Sequence, residues 1–125
     1  MRKKILIVDD HADLRQLVVL TLDDPNHEII EACNADDALD MIMKDQPDLL
    51  VLDVMMPGKL NGLQLCEQIK NDPGLHSIKV ILLTARGQQS DVSEGTRVKS
   101  DAYLVKPFSP MALLQKVQEL LKAEP

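Results

Sequence analysis

The chain alternates between two hydrophobic periods along its length, and this alternation constrains the fold more than any other feature. Continuous apolar runs bounded by polar residues predict strands that are covered on both faces. The predicted strands cover residues 4–8, 28–32, 48–53, 79–84 and 101–106. Apolar residues that recur at three- and four-residue steps predict the intervening helices. These helices cover residues 12–22, 35–46, 61–71, 88–97 and 110–121. Five strands alternating with five helices predict an α/β domain with a parallel sheet and helices on both faces.

The composition is that of one globular domain covering residues 1–125, with 45% hydrophobic and 27% charged residues. The net charge of −6, from 20 acidic and 14 basic residues, disfavours direct nucleic-acid binding because no basic stripe offsets the acids. No apolar run approaches the roughly 20 residues that cross a bilayer, and the N-terminus lacks the pattern of a signal peptide. We therefore expect a soluble, cytoplasmic domain that does not contact membranes.

The sulfur-containing residues carry no sign of a metal site. Cys33 and Cys66 lack CxxC spacing and stand in apolar stretches, so they are expected to be reduced core residues. Met41, Met43 and Met111 occur at helical spacing and are also predicted to lie in the core.

Polar residues follow or end four of the predicted strands. Asp9 and Asp10 follow the first strand, Asp53 ends the third, Thr84 the fourth and Lys106 the fifth. Because ligands of open parallel sheets bind outside the carboxyl ends of the strands, these side chains are expected to converge. Three carboxylates suit a hard divalent cation, and an ammonium and a hydroxyl add the means to stabilise a phosphoryl group. Individually, Asp10 could equally be a helix cap, and Thr84 is more often a turn residue.

The sequence resembles the receiver domain of two-component response regulators over essentially the whole chain. The matching segments are IVDD at 7–10, DVMMP at 53–57, LTA at 83–85 and DAYLVKPF at 101–108. Their order and spacing agree with the family, as do their residue types. The resemblance implies a doubly wound (βα)5, flavodoxin-like three-layer sandwich with a five-stranded parallel sheet. It also implies a phosphoacceptor domain rather than a multiple-turnover enzyme.

The resemblance assigns the acidic residues to phosphorylation and metal binding. Asp53 would be the phosphorylation site, accepting a phosphoryl group from a sensor histidine kinase or a histidine phosphotransfer protein. Asp10 would bind Mg²⁺ directly, together with Asp53 and the main-chain carbonyl of Met55, while Asp9 would act mostly through water. Mn²⁺ is the expected substitute for Mg²⁺. His11, next to the acidic pair, is expected to be a solvated helix start rather than a ligand.

The remaining roles implied by the resemblance concern the phosphoryl group and the switch. Lys106 would pair with a phosphoryl oxygen, and its peptide bond to Pro107 is expected to be cis. Thr84 would hydrogen-bond the phosphoryl group, and Tyr103 would then rotate inward. Ala85 would leave the phosphoryl group space and a backbone N–H. The changed surface would comprise the fourth predicted helix, the fifth strand and the fifth helix.

Met55 and Arg86 occupy the family positions that tune how water reaches the phosphoryl group. A bulky apolar side chain and a long cation favour a phosphoryl lifetime of minutes or longer. The alternative, that both are ordinary loop residues, has equal weight.

The sequence departs from the usual family pattern at two places. Gly62 stands one residue later than usual, which lengthens the loop after Asp53 near Lys59 or Leu60. Lys99-Ser100-Asp101 replaces a segment that usually provides a glycine helix cap. Both departures weaken any inference of a standard dimer on the output surface, so a homodimer that forms there on phosphorylation stays an open alternative.

Other function classes fit the sequence less well. A dehalogenase-like phosphohydrolase needs a second aspartate where Met55 stands, and a flavodoxin-like FMN binder needs a Ser/Thr/Gly-rich phosphate loop. A degenerate receiver would have lost one of the acids or Lys106, which are all present. The output domain or target protein is not encoded in these residues, and the sequence is either a free-standing regulator or a piece of a longer one.

Overall fold

The computed structural model describes residues 2–54, 61–85 and 100–122, which form a sheet of five parallel strands with helices on both faces. The strands lie in the order β2-β1-β3-β4-β5. Their bounds are β1 Lys3–Val8, β2 His27–Ala32, β3 Leu49–Asp53, β4 Lys79–Ala85 and β5 Ala102–Lys106. The strand order reverses between β1 and β3, where the ligands of doubly wound sheets bind. The predicted α/β class and parallel sheet are confirmed.

Four helices lie within the described residues: α1 Ala12–Leu22, α2 Ala35–Asp45, α3 Gly62–Lys70 and the C-terminal helix Pro110–Lys122. Side-chain caps fix the starts of three of them, because each satisfies a backbone N–H that the helix leaves open. Asn34 accepts from the N–H of the third residue of α2, Asn61 does the same for α3, and the hydroxyl of Ser109 accepts from the N–H of Ala112. The predicted helix at 88–97 lies outside the described residues.

The core consists of two apolar layers, one on each face of the sheet. Successive residues of β1 point to opposite faces, so Ile5 and Ile7 pack with α1 and the C-terminal helix, while Leu6 and Val8 pack with α2 and α3. All five residues of β3 are buried. This two-sided burial explains why β1 and β3 read as continuous apolar runs in the sequence.

Three of the predicted core positions are wrong. Cys33 is exposed, because it follows the last residue of β2 in the bend that leads to α2, whereas Cys66 is buried as predicted. Met43 is 60% exposed, since it lies beside the buried stripe of α2 rather than in it. Met111 is 72% exposed in the first turn of the C-terminal helix. Met41 is partly buried against the core.

None of the helices described here is both long and apolar enough to span a lipid bilayer.

Candidate functional site

The carboxyl ends of β1, β3 and β5 bring together the charged residues that the strand-end rule singled out. Asp9 and Asp10 follow β1, while Asp53 ends β3 and Lys106 ends β5. Because β1 and β3 are paired in register, Val8 faces Leu52, and the acids at the carboxyl ends of these strands meet at one edge of the sheet. This edge is the candidate site.

Asp53 is held at the end of the most deeply buried strand. Its exposed fraction is 2%, and its register partner on β4 is Leu83. The next residue, Val54, donates its N–H to the carbonyl of Leu83 over 3.0 Å, which extends the sheet one residue past the carboxylate. Lys106 places its ammonium Nζ 3.2 Å from Asp53 Oδ1. Asp53 is therefore a buried carboxylate paired with a partly exposed cation.

Asp9 is fixed by hydrogen bonds from both sides of the sheet edge. Its Oδ1 accepts from the N–H of His11 over 2.8 Å, and its carbonyl accepts from Arg15 Nη1 over 2.7 Å. Its own N–H donates to the carbonyl of Ala32 over 3.2 Å. Its other oxygen, Oδ2, is buried and accepts no hydrogen bond from the described residues, and Lys106 Nζ lies 3.9 Å from it. A bound cation would satisfy that oxygen, and buried carboxylate oxygens are normally satisfied in this way or by hydrogen bonds.

The acidic residues form a compact donor set for a cation. One donor atom from each of Asp9, Asp10, His11 and Asp53 can be chosen so that all four lie within 4.8 Å of one another. Three carboxylates this close repel one another, and Lys106 contributes a single positive charge. Oxygen donors suit a hard divalent cation such as Mg²⁺. The residues therefore fit the predicted cation.

Thr84 and Tyr103, the predicted switch pair, lie on neighbouring strands with opposite exposure. Thr84 is fully buried, and its Oγ1 has no hydrogen-bond partner among the described residues. It is the residue after Leu83, which is the register partner of Asp53 on the neighbouring strand. Tyr103 is 43% exposed on β5. The hydroxyl of Thr84 is thus available to a new acceptor near the site, while the tyrosine ring faces outward.

The remaining predicted site residues are placed only in part. Ala85 ends β4 and faces Lys106 in register. The peptide bond from Lys106 to Pro107 is cis, as predicted. Met55 and Arg86 lie outside the described residues, and so do Lys59 and Leu60 in the lengthened loop.

Gly62 begins α3 directly against the backbone of Asp53. Its N–H donates to the carbonyl of Val54 over 3.2 Å. A Cβ atom at this position would overlap the carbonyl oxygen of Asp53 and would lie 2.9 Å from both the carbonyl carbon of Asp53 and the Cα of Val54. The residue that the sequence marked as displaced is therefore the one that lets α3 approach the acidic residue.

Sequence reasoning missed one participant in this site, Arg15. Its guanidinium links the Asp9 carbonyl to Glu31, whose Oε1 accepts from Arg15 Nε over 3.0 Å. This contact between α1 and β2 leaves no signal in the sequence. His11 is the exposed residue directly before α1, as predicted, and its Nδ1 lies 3.3 Å from Asp9 Oδ1 and 3.2 Å from Asp10 Oδ1.

Comparison with known proteins gives one consistent result. The chain matches the response regulator receiver domain family over residues 5–118. It is 38% identical over 120 residues to the phosphate regulon transcriptional regulatory protein PhoB of Pseudomonas aeruginosa, covering 96% of this chain and 52% of that protein. The chain thus spans about half the length of the curated relatives it matches.

Solved structures of similar proteins agree with the fold. The chemotaxis response regulator CheY4 of Vibrio cholerae superposes with a TM-score of 0.86 at 30% identity, covering 96% of this chain and 99% of that one. The receiver domain of NtrX from Brucella abortus gives a TM-score of 0.88 at 31% identity, again covering 96% of this chain and 99% of that one.

Proposed function

Because the chain belongs to the response regulator receiver domain family, we propose that it is a phosphorylation-dependent switch of a two-component system with Asp53 as the phosphoacceptor. The observation that carries the proposal is the ion pair between Asp53 Oδ1 and Lys106 Nζ at 3.2 Å, on a carboxylate that is 2% exposed. A buried carboxylate beside a cation is suited to attack on a phosphoryl group. The ammonium of Lys106 can stabilise the negative charge of the phosphoryl oxygens during the transfer.

The proposed reaction transfers a phosphoryl group from a phosphohistidine to Asp53. A carboxylate oxygen forms the new bond to phosphorus as the phosphorus–nitrogen bond of the donor breaks. The imidazole of the donor leaves with the electron pair and takes up a proton from solvent. Lys106 pairs with a phosphoryl oxygen and Thr84 donates its hydroxyl to another, which gives its buried Oγ1 an acceptor. The backbone N–H of Ala85 is a further proposed donor.

Asp10 and Asp53 are the proposed direct ligands of Mg²⁺, with Asp9 acting mostly through water and the Met55 carbonyl as a third protein ligand. The close donor set and the buried Oδ2 of Asp9 support this assignment. When bound, the divalent ion supplies positive charge that offsets the carboxylates and the incoming phosphoryl oxygens. Mn²⁺ is the proposed substitute.

The switch would couple this local charge to the surface through Thr84 and Tyr103. When Thr84 turns toward the phosphoryl group, space near β5 changes and the exposed ring of Tyr103 can rotate inward. The affected surface includes β5, the C-terminal helix and the segment before β5. The proposed influence of Met55 and Arg86 on phosphoryl lifetime completes this scheme.

The proposed partners are a sensor histidine kinase or a histidine phosphotransfer protein, and an output domain or target protein. Residues 1–125 would form the receiver domain, which catalyses its own phosphorylation and slow dephosphorylation without turning over an external substrate. A cytoplasmic location and a homodimer that forms on phosphorylation are further elements of this proposal.

Labelling with acetyl phosphate and Mg²⁺ tests the phosphoacceptor directly. The wild type should gain one phosphoryl group that is stable in acid and labile in alkali, as expected of an acyl phosphate. Asp53→Asn should remove the label, because an amide oxygen is a poor nucleophile toward phosphorus. Asp40→Asn, which changes an exposed carboxylate on α2, is the matched control and should label normally.

Undiminished labelling of Asp53→Asn would contradict the assignment. Rapid, repeated hydrolysis of a phosphate ester by the wild type would instead favour the phosphohydrolase alternative.

A further inference from the structure

The side chain of His11 lies among the carboxylates of the cation site although most of it is solvent-accessible. Its exposed fraction is 68%, and its Nδ1 lies 3.2 Å from Asp10 Oδ1 and 3.3 Å from Asp9 Oδ1. The backbone N–H of His11 donates to Asp9 Oδ1 over 2.8 Å, which fixes the start of the side chain beside the site. The backbone of His11 is therefore held beside the site, while its solvent-exposed imidazole has space to rotate.

We infer that His11 supplies a nitrogen ligand to the divalent cation and shifts the selectivity of the site from Mg²⁺ toward ions that bind imidazole, such as Co²⁺ and Zn²⁺. This inference rests on the proposed function, because it concerns the same cation site. The chemical class is a borderline first-row divalent ion held by mixed oxygen and nitrogen donors.

The spacing of the donor atoms supports a mixed site. Metal–ligand bonds of about 2.0–2.2 Å place neighbouring ligands of a tetrahedral ion about 3.3–3.6 Å apart. The two distances from His11 Nδ1 to carboxylate oxygens come within about 0.1 Å of that range. The donor atoms of His11, Asp9, Asp10 and Asp53 lie within 4.8 Å of one another, so small side-chain movements would bring all four around one ion.

A second observation points to a ligand independently of the histidine. Asp9 is 1% exposed, and its Oδ2 is buried without a hydrogen bond from the described residues. The ammonium of Lys106 is 3.9 Å away, which is too long for a hydrogen bond. The imidazole of His11 contacts the other oxygen of the same carboxylate, Oδ1, so a cation at Oδ2 would bind the carboxylate that His11 already contacts.

A nitrogen donor favours Co²⁺ and Zn²⁺, whereas oxygen donors favour Mg²⁺. Mg²⁺ prefers oxygen and keeps several waters, so it gains little from an imidazole. Co²⁺ and Zn²⁺ bind imidazole well and stand above Mn²⁺ in the order of affinities. The histidine should therefore affect these ions strongly and Mg²⁺ weakly.

Metal titrations without a phosphodonor test this inference. Co²⁺ binding is followed by its visible absorption at constant pH, and Mg²⁺ binding by competition with Co²⁺. His11→Gln should weaken Co²⁺ binding by at least about tenfold, while Mg²⁺ binding changes by less than about twofold. His11→Glu should narrow the difference between the Co²⁺ and Mg²⁺ affinities relative to the wild type, because it restores a donor but replaces nitrogen with oxygen.

His76→Gln is the matched control, since His76 lies in the exposed turn before β4 and should leave both affinities unchanged. Circular dichroism of each variant confirms that the fold is retained. Equal Co²⁺ affinities for the wild type and His11→Gln would overturn the inference, and so would an equal loss of Co²⁺ and Mg²⁺ binding. Labelling of the wild type and of Asp53→Asn by acetyl phosphate does not involve the His11 variants, so the proposed function is judged separately.

Discussion

The close approach of α3 to the phosphoacceptor strand makes Gly62→Ala the most informative single substitution. The added Cβ would lie 2.9 Å from the carbonyl carbon of Asp53, whereas carbon atoms in good contact are about 3.5–4.0 Å apart. The atoms it meets are backbone, and they are held in the sheet by the hydrogen bond from Val54 to Leu83. Relief therefore requires α3 to withdraw by at least about 0.6–1 Å, and the overlap with the carbonyl oxygen of Asp53 adds to this.

The energetic cost follows from what this withdrawal disturbs. Overpacking against a rigid neighbour costs about 1–3 kcal/mol. Stretching the 3.2 Å bond from Gly62 to the Val54 carbonyl costs a further ~0.5–1.5 kcal/mol. Alanine also lowers the conformational entropy of the unfolded chain, which offsets about 0.4–1 kcal/mol of this loss of stability. We expect a net loss of about 2–3 kcal/mol in the free energy of unfolding.

Urea denaturation followed by far-ultraviolet circular dichroism measures this loss as a lower midpoint at unchanged slope. Gly74→Ala is the matched control, because its Cβ would meet a side-chain oxygen of Asp72 at 3.3 Å, and that side chain can move. The control should stay within about 0.5 kcal/mol of the wild type. If Gly62→Ala proved as stable as Gly74→Ala, the claim that α3 packs directly against the Asp53 backbone would be refuted.

Three further predictions concern buried groups away from the site. Burial raises the pKa of the Cys66 thiol to about 12, so native protein at about pH 8 should be alkylated by iodoacetamide at Cys33 and spared at Cys66; two adducts by mass spectrometry would contradict this. Because the unfolded thiol ionises first, near 9.0, the contribution of Cys66 to stability should be intact below that pH and be lost between 9.0 and about 12. The urea midpoint should therefore fall further over this range in the wild type than in Cys66→Ala. Lys70 Nζ lies 2.7 Å from Asp101 Oδ2 and donates to the carbonyls of His76 and Ile78, so Lys70→Met should cost about 2–3 kcal/mol, while Asp101 keeps its hydrogen bond from the Val80 N–H. Lys116→Met, on an exposed 3.9 Å pair, should cost less than about 1 kcal/mol, and equal losses in both variants would argue against the difference in burial.

The sequence predicted the fold because the main signals are local. A strand covered on both faces must be apolar throughout, so β3 was visible as the run from Leu49 to Leu52. The convergence of Asp9, Asp53 and Lys106 also followed from topology, since parallel strands end at one edge. These inferences need no knowledge of side-chain conformation.

Features that depend on how distant segments meet could not be predicted. The pair of Lys70 and Asp101 joins residues 31 positions apart, and nothing in either neighbourhood marks them as partners. Cys33 was misplaced because an apolar neighbourhood does not say whether a residue lies before or after the bend that leaves the sheet. His11 lies at the solvated start of α1 as predicted, but its closeness to the Asp10 carboxylate depends on the direction of an exposed side chain.

The position of Asp53 on β3 has a consequence for how local opening is distributed through the sheet. The central strand is buried along its whole length, whereas β5 lies at the edge and alternates between half-buried and exposed residues. Amide protons of β3 should therefore exchange with solvent only through global unfolding, and those of β5 through much smaller fluctuations. A chemical change at Asp53, on the slowly exchanging β3, would then alter the conformation of β5, whose amide protons exchange fast. Hydrogen exchange would record this as altered protection in β5 while β3 keeps the same rate.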